Sequence, residues 1–279
     1  MDAQELSLRI VHLSDVVLHE QIEHDRIEQL KQRLKQDHSL KNPPIVSQAV
    51  GHDGATRYIV LDGATRTTAL REIECCDILV QIVNYHSPEV KLEAWYHMLL
   101  NAPREKLLGD MAAIPGLALE QTDETAARVA LDRRAIIGYF VLADGSVRAM
   151  SGGNDLSAQA NLLNRVVETY NRQYPMYRIA HTDVEQLAAE HQQLTGIMVF
   201  PRYKPGEIEW LAVSGAKLPM GVTRHIIPGR ALRVNLPLDI LERDQPLAEK
   251  NAWLDEWLKE KIRQRHVRFY QEPVFLFDE

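Results

Sequence analysis

Residues 59–72 read IVLDGATRTTALRE, an apolar strand that reaches Asp62-Gly63 and turns at once into a helix-like segment. A helix N-terminus directly after a glycine turn offers unpaired backbone N–H groups and the positive end of the helix dipole, which together suit a phosphate. Thr65 and Arg66 fall in that first turn and would add a hydroxyl donor and a forked cation. Asp62, at the end of the strand, is placed to act on a metal or a substrate proton. The plainer alternative is an ordinary strand–helix turn, with Asp62 capping the helix and Arg66 in solvent. Spacing alone does not choose, and no GxxxxGK[ST] segment marks a Walker loop.

Three other stretches carry reactive side chains. In LHEQIEHDR (18–26), Glu20 stands at a strand-to-helix edge, where partial burial could make a carboxylate a general base. A solvated loop acid is the competing reading, and His19, Glu23 and His24 do not have HExxH spacing. The segment GAKLPMGVTRHIIPGRALRVNLPLDIL (215–241) places Gly221, Thr223, Arg224 and His225 within five positions. A flexible turn, a hydroxyl, a guanidinium and an imidazole are what an anion-binding loop needs. Its alternative is a basic loop with Arg230 and Arg233 lying over the surface. In VKLEAWYHMLL (90–100), Trp95 and His97 sit among apolar residues that read as a helix, with Trp95 either in the core or walling a pocket.

The elements that must position these residues alternate through the first hundred positions. LRIVHL reads as a strand, DRIEQLKQRLKQD as a helix, IVSQAV (45–50) and YIVL (58–61) as strands. A helix through about Glu74, a strand at 78–85 and a helix near 88–100 follow. The pattern breaks at Asn101-Ala102-Pro103, which sets expected domains of 1–102 and 103–279. Beyond it the sequence predicts strands at 135–143, 146–150, 176–181 and 196–200. It also predicts a helix from about Asp155 to Tyr174 with Leu162, Leu163, Val166, Val167 and Tyr170 as its core stripe, and one at 249–265. The end, VRFYQEPVFLFDE, is apolar enough to expect docking.

Composition narrows the classes. The formal net charge of -7 argues against a generic nucleic-acid or anionic-membrane binder, which needs a cationic surface. No stretch approaches the roughly 20 apolar residues of a membrane helix, and the acidic start MDAQELSLRI is unlike a secretory signal. Cys75 and Cys76 are adjacent, so they form neither an ordinary disulfide nor a CxxC pair. A cytoplasmic protein is expected.

The order of elements through residue 100, with its strand, Asp-Gly and Arg-bearing helix, resembles the ParB/sulfiredoxin-like superfamily. The whole chain resembles the free L-serine kinases within it, a family that includes the kinase of staphyloferrin B siderophore biosynthesis. LHEQIEHDRIEQL, LKNPPIV, YIVLDGATR, VQIVNYHSPEVKLEAW and above all GVTRHIIPGRALRVNLPLDIL carry this likeness. It implies an α/β (α+β) fold with a ParB/sulfiredoxin-like N-terminal domain, a second mixed α+β domain and an active site in the cleft between them. It implies transfer of a phosphoryl group from ATP or ADP, with Mg²⁺, to the hydroxyl of L-serine, giving O-phosphoserine. Glu20 would be the base, and Asp62 would assist through the metal or the nucleophile. Gly63, Thr65 and Arg66 would cradle the nucleotide phosphates, while Trp95, Thr223, Arg224 and His225 would hold serine. Many relatives carry His in a DGxHR turn where this chain has Ala64-Thr65. A hydroxyl donates to a phosphate but is neither a cation nor an acid near neutral pH, so that histidine's role does not carry over. The alternatives are a ParB-like regulator that binds nucleotide or DNA, and a hydrolase of the same superfamily.

Overall fold

The computed structural model describes residues 6–23 and 26–269, which belong to two compact units. The first takes the described residues within Met1–Leu18, Ile22–Lys91 and Ile227–Glu279, and the second takes His19–Gln21 and Leu92–Ile226. The units do not follow the linear division at residue 102. The chain changes unit at Lys91/Leu92 and returns to the first after Ile226. Core chemistry explains the return: Leu236, Leu238, Ile240, Leu241 and Leu254 are buried in the same apolar cluster as Leu8, Ile10, Val46, Leu70 and Leu79. A sequence break such as Asn101-Ala102-Pro103 marks a turn and carries no information on which core the later leucines join.

The first unit opens with β1 (Leu8–His12), β2 (Val16–Leu18), α1 (Ile27–Asp37), β3 (Ser39–Leu40), β4 (Ile45–Val50), β5 (Thr56–Asp62), α2 (Ala64–Glu72) and β6 (Asp77–Ile82). Five of these strands make a mixed sheet in the order β1-β6-β4-β5-β2, with β2–β5 and β4–β6 parallel and the other pairs antiparallel. The sheet delivers Asp62 to the end of β5, and α2 starts two residues later.

The second unit runs through β7 (Lys91–Ala94), β8 (Tyr96–Leu100), α3 (Arg104–Ala112), β9 (Ala118–Thr122), α4 (Glu124–Asp132), β10 (Gly138–Leu142) and β11 (Val147–Ser151). It continues with α5 (Leu156–Glu168), β12 (Met176–Ile179), α6 (Val184–Glu190), β13 (Leu194–Val199), α7 (Pro205–Ser214) and β14 (Thr223–Ile226). Six strands form an antiparallel sheet, β12-β8-β13-β10-β11-β9. Asp123, Asp155 and Asp183 begin α4, α5 and α6 by accepting the N–H groups of Ala126, Ala158 and Gln186, each satisfying an orphan donor of the first turn. The expected stripe of α5 is the buried one: Leu162, Leu163, Val166, Val167 and Tyr170 all lie inside.

Residues 91–100, expected as helix, are strands. On β8, Met98 joins the cluster with Tyr139, Val141 and Ile197, while His97 meets the rings of Tyr170 and Phe200. A strand covered on both faces reads as one continuous apolar run, which periodicity cannot tell from a helix.

The returning chain adds β15 (Leu236–Pro237), paired with β3, then α8 (Leu238–Glu242) and α9 (Leu247–Arg263). Helix α9 covers the β1 edge of the five-stranded sheet. The Asn251 side chain accepts the Ile10 N–H at 3.0 Å and donates to the Ile10 carbonyl at 2.9 Å, as a neighbouring strand would. Beside it, Lys250 Nζ lies 2.6 Å from Asp77 Oδ2 and donates to the Leu241 carbonyl at 3.1 Å, with both side chains almost wholly buried. His12 Nδ1 sits 2.8 Å from the other Asp77 oxygen. Of the expected docked end, Val267 and Phe269 are exposed and 270–279 lie outside the described residues. No helix among the described residues is long and apolar enough to cross a membrane.

Removing one partner of a buried ion pair strands the other charge. Lys250→Met is therefore expected to lower unfolding free energy by about 3–5 kcal/mol. Urea denaturation checks this, and a loss below about 1 kcal/mol contradicts the anchoring role of the pair.

Candidate functional site

Glu20 enters the second unit on a three-residue excursion of the chain. Its neighbours pair with Leu218: the Leu218 N–H donates to the His19 carbonyl and the Gln21 N–H to the Leu218 carbonyl, both at 2.8 Å. That register turns the Glu20 carboxylate onto the backbone of 221–223. Oε2 accepts the Gly221 N–H at 2.8 Å. Oε1 accepts the N–H groups of Val222 at 3.1 Å and Thr223 at 2.6 Å, and the Thr223 hydroxyl at 2.6 Å. With that proton given to Glu20, Thr223 Oγ1 accepts from His19 Nε2, 2.8 Å away. The Glu20 side chain is 15% exposed, so the carboxylate is held and still open to a small partner.

Gly221 makes this possible. Its φ is +66°, and a Cβ there would stand 2.0 Å from the Arg178 side chain, so both backbone and space call for glycine. Beyond the amide row, β14 carries Arg224 and His225. The Arg224 guanidinium lies over the Trp95 ring, 4.6 Å from its centroid, and 3.5 Å from Glu93. The Trp95 N–H donates to the Val222 carbonyl at 2.9 Å. The His225 ring meets His19 edge-on at 5.4 Å between centroids. Five residues picked from sequence — Glu20, Trp95, Thr223, Arg224 and His225 — thus share one locality of the second unit. A carboxylate, a hydroxyl, a stacked guanidinium and an indole wall suit a small zwitterion with an acceptor hydroxyl.

Behind the row is His97, to which the sequence analysis gives no role. The ring is fully buried, with Nδ1 2.8 Å from the Tyr170 hydroxyl and Nε2 3.2 Å from the Gly221 carbonyl. Burial pushes its pKa down to about 4; the Arg178 charge adds to the fall, while the Gly221 and Met220 carbonyls oppose it.

The first unit holds the other predicted group. Gly63, at φ +97°, follows β5 and precedes α2 with no side-chain cap on the helix. A Cβ at Gly63 would lie 3.0 Å from Pro44, so the turn is tight as well as left-handed. Thr65 is half-buried in the first turn. Arg66 donates to Asp62 Oδ2 at 2.9 Å and to the carbonyls of Asn42 and Pro43 at 2.8 and 3.2 Å. Asp62 does not cap α2; it is the counter-ion of Arg66 and also of Arg230.

Arg230, which entered the sequence analysis only in the alternative of a basic surface loop, is absent from the residues picked there. Buried Gln81 holds it in place by donating to the Gly229 carbonyl and accepting the Ala231 N–H, each at 2.8 Å. A glutamine inside the otherwise apolar run ILVQIV was the available signal, since a buried amide needs partners. Among the described residues no cluster of three or more His, Cys, Asp or Glu could hold a metal by itself.

Comparison with known proteins bears on this arrangement. No family model matches the chain. It is 26% identical over 276 residues, 98% of its length and 97% of the relative's, to the ATP-dependent L-serine kinase SbnI of Staphylococcus aureus. An ATP-dependent L-serine kinase of Desulfurococcus mucosus is 21% identical over 238 residues, covering 83% of this chain and 90% of the relative. Among solved structures, C-terminally truncated SbnI from Staphylococcus aureus superposes with a TM-score of 0.71 at 26% identity, over 91% of this chain and 97% of that one. A free serine kinase in complex with AMP shares the fold at a TM-score of 0.72 and 16% identity, over 85% of this chain and 94% of that one.

The His97 shift makes stability pH-dependent. Its folded pKa of about 4 lies below the ordinary value near 6.5. Between those values the unfolded chain binds a proton that the folded chain does not, so stability rises with pH across the window and is lost as pH falls through it. His97→Gln should remove on the order of 3 kcal/mol of that slope between pH 4 and 6.5, read by urea unfolding of variant and wild type.

Proposed function

We propose that this chain is a free L-serine kinase that transfers the terminal phosphoryl group of ATP to the serine hydroxyl, forming O-phospho-L-serine and ADP. The observation that carries the reading is the Glu20 carboxylate seated on the amides of 221–223 beside the stacked Arg224–Trp95 pair. Near-full-length similarity to ATP-dependent L-serine kinases supports it. We assign the first unit to the ParB/sulfiredoxin-like superfamily on the strand–Asp-Gly–helix turn at 62–66, and the reaction to the cytoplasm.

In this reading Glu20 is the general base. It accepts the serine hydroxyl proton as the serine oxygen bonds to phosphorus and the bond from phosphorus to the ADP oxygen breaks. Arg224 takes the serine carboxylate in its fork, Trp95 walls the side, and Thr223 and His225 complete the grip. The N–H groups at the start of α2, with Gly63, Thr65 and Arg66, receive the nucleotide phosphates. Arg66 and Arg230, both paired with Asp62, supply positive charge for the γ-phosphoryl oxygens. Asp62 fits Mg²⁺, which is usually bound by one or two carboxylates together with substrate phosphates. When bound with the nucleotide, Mg²⁺ neutralises charge on the phosphates.

Incubation with L-serine, ATP and Mg²⁺ should yield O-phosphoserine, detected by ³¹P NMR; folded protein that yields none with either ATP or ADP overturns the reading. Glu20→Gln should lower kcat by about 10²–10⁴ while nucleotide binding persists, as calorimetry would show. Arg230→Ala should reduce kcat/KM for ATP by roughly tenfold or more, the scale of one charge-assisted phosphate contact. An unchanged value removes Arg230 from the cradle.

A further inference from the structure

The amide row that holds Glu20 is itself held from behind. Two consecutive peptides matter: Gly221–Val222, whose N–H reaches Glu20 Oε1 at 3.1 Å, and Val222–Thr223, whose N–H reaches it at 2.6 Å. The carbonyl of the second accepts the Trp95 N–H at 2.9 Å. The carbonyl of the first faces His97 Nε2 at 3.2 Å. Positions 95 and 97 therefore grip successive carbonyls, one through the backbone and the other through a side chain.

The tautomer follows from the partners. A carbonyl oxygen carries no proton, so Nε2 must be the protonated nitrogen of a neutral ring. Nδ1 is then an acceptor, and the Tyr170 hydroxyl at 2.8 Å donates to it. The chain of donors runs from Tyr170 to His97 to the Gly221 carbonyl, and across that peptide from the Val222 N–H to Glu20. Each bond polarises the next in one direction. Gly221, at φ +66°, is the residue about which this peptide would most easily turn. A turned peptide would withdraw the Val222 N–H from the carboxylate.

We propose that His97, oriented by Tyr170, is a positioning residue that locks the Gly221–Val222 peptide and so keeps Glu20 aimed for proton transfer. What Glu20 does rests on the kinase reading; how it is held does not. The expected tautomer agrees with a ring that burial keeps neutral, and His97 also meets the Tyr170 and Phe200 rings edge-on, at 5.8 and 4.8 Å between centroids.

Two-bond ¹H–¹⁵N spectra of the wild-type protein should show His97 protonated at Nε2; protonation at Nδ1 overturns the proposal without any variant. Tyr170→Phe and His97→Leu should move the Val222 amide proton upfield and speed its exchange. Both should lower kcat for serine phosphorylation about tenfold, the scale of one lost hydrogen bond, with KM for ATP unchanged. His97→Gln, which retains a donor, should recover much of both effects. Folded Tyr170→Phe or His97→Leu protein with an unmoved Val222 amide and kcat within twofold of wild type overturns the proposal. If the wild type makes no phosphoserine, the kinase reading fails alone, and the tautomer and Val222 amide still decide the positioning role.

Discussion

A half-buried carboxylate must find donors, and Glu20 finds four of them in three consecutive residues some two hundred positions away. A buried acceptor left without partners costs more than most single contacts return. Much of the local design in the second unit follows from meeting this demand. Position 221 must be glycine because the backbone turns left-handed against Arg178. Thr223 must follow in register, so that its N–H and hydroxyl both reach the same oxygen. Arg224, next in the strand, then falls over Trp95, whose own N–H holds the Val222 carbonyl. The segment that restrains Glu20 thus also presents Arg224.

The first unit answers a different constraint, the charge of Asp62. Two guanidinia converge on it: Arg66 from the first turn of α2 and Arg230 from the returning chain. Helix dipole and arginines together make the α2 N-terminus electropositive, and the Asp62 carboxylate balances them. The return of the chain therefore places Arg230 as well as completing the core. Leu236 to Leu254 complete the core, Asn251 covers the sheet edge, and Gln81 fixes the turn that presents Arg230. Similarity to L-serine kinases extends over nearly the whole chain, the returning segment included.

Legibility in the sequence tracked the range of the interaction behind each feature. The start of α5 near Asp155 and its core stripe were readable because helical spacing is local. So was the Asp-Gly turn into α2, where a positive φ calls for glycine. The strands at 91–100 were misread as helix because both faces of β8 are covered, which erases the alternation that identifies a strand. Arg230 could not be told from a surface cation because its partner, Asp62, is 168 positions away. His97 had no legible role because nothing near it in sequence shows a carbonyl waiting for its Nε2.

By itself the sequence determined the chemical inventory: a carboxylate at 20, a phosphate-suited turn at 62–66, and a glycine–hydroxyl–arginine–histidine run at 221–225. Residue type sets what a side chain can donate, accept or charge, and local spacing sets the turn or helix that carries it. Only the tertiary structure decided which groups meet. It seated Glu20 on the 221–223 amides, gave Asp62 two arginines, and put His97 behind the peptide that Glu20 depends on. Those pairings are hydrogen bonds and ion pairs between positions 124 to 203 apart, apart from Arg66 at four. Such contacts are chosen by how sheets and cores close, and no local pattern encodes that closure.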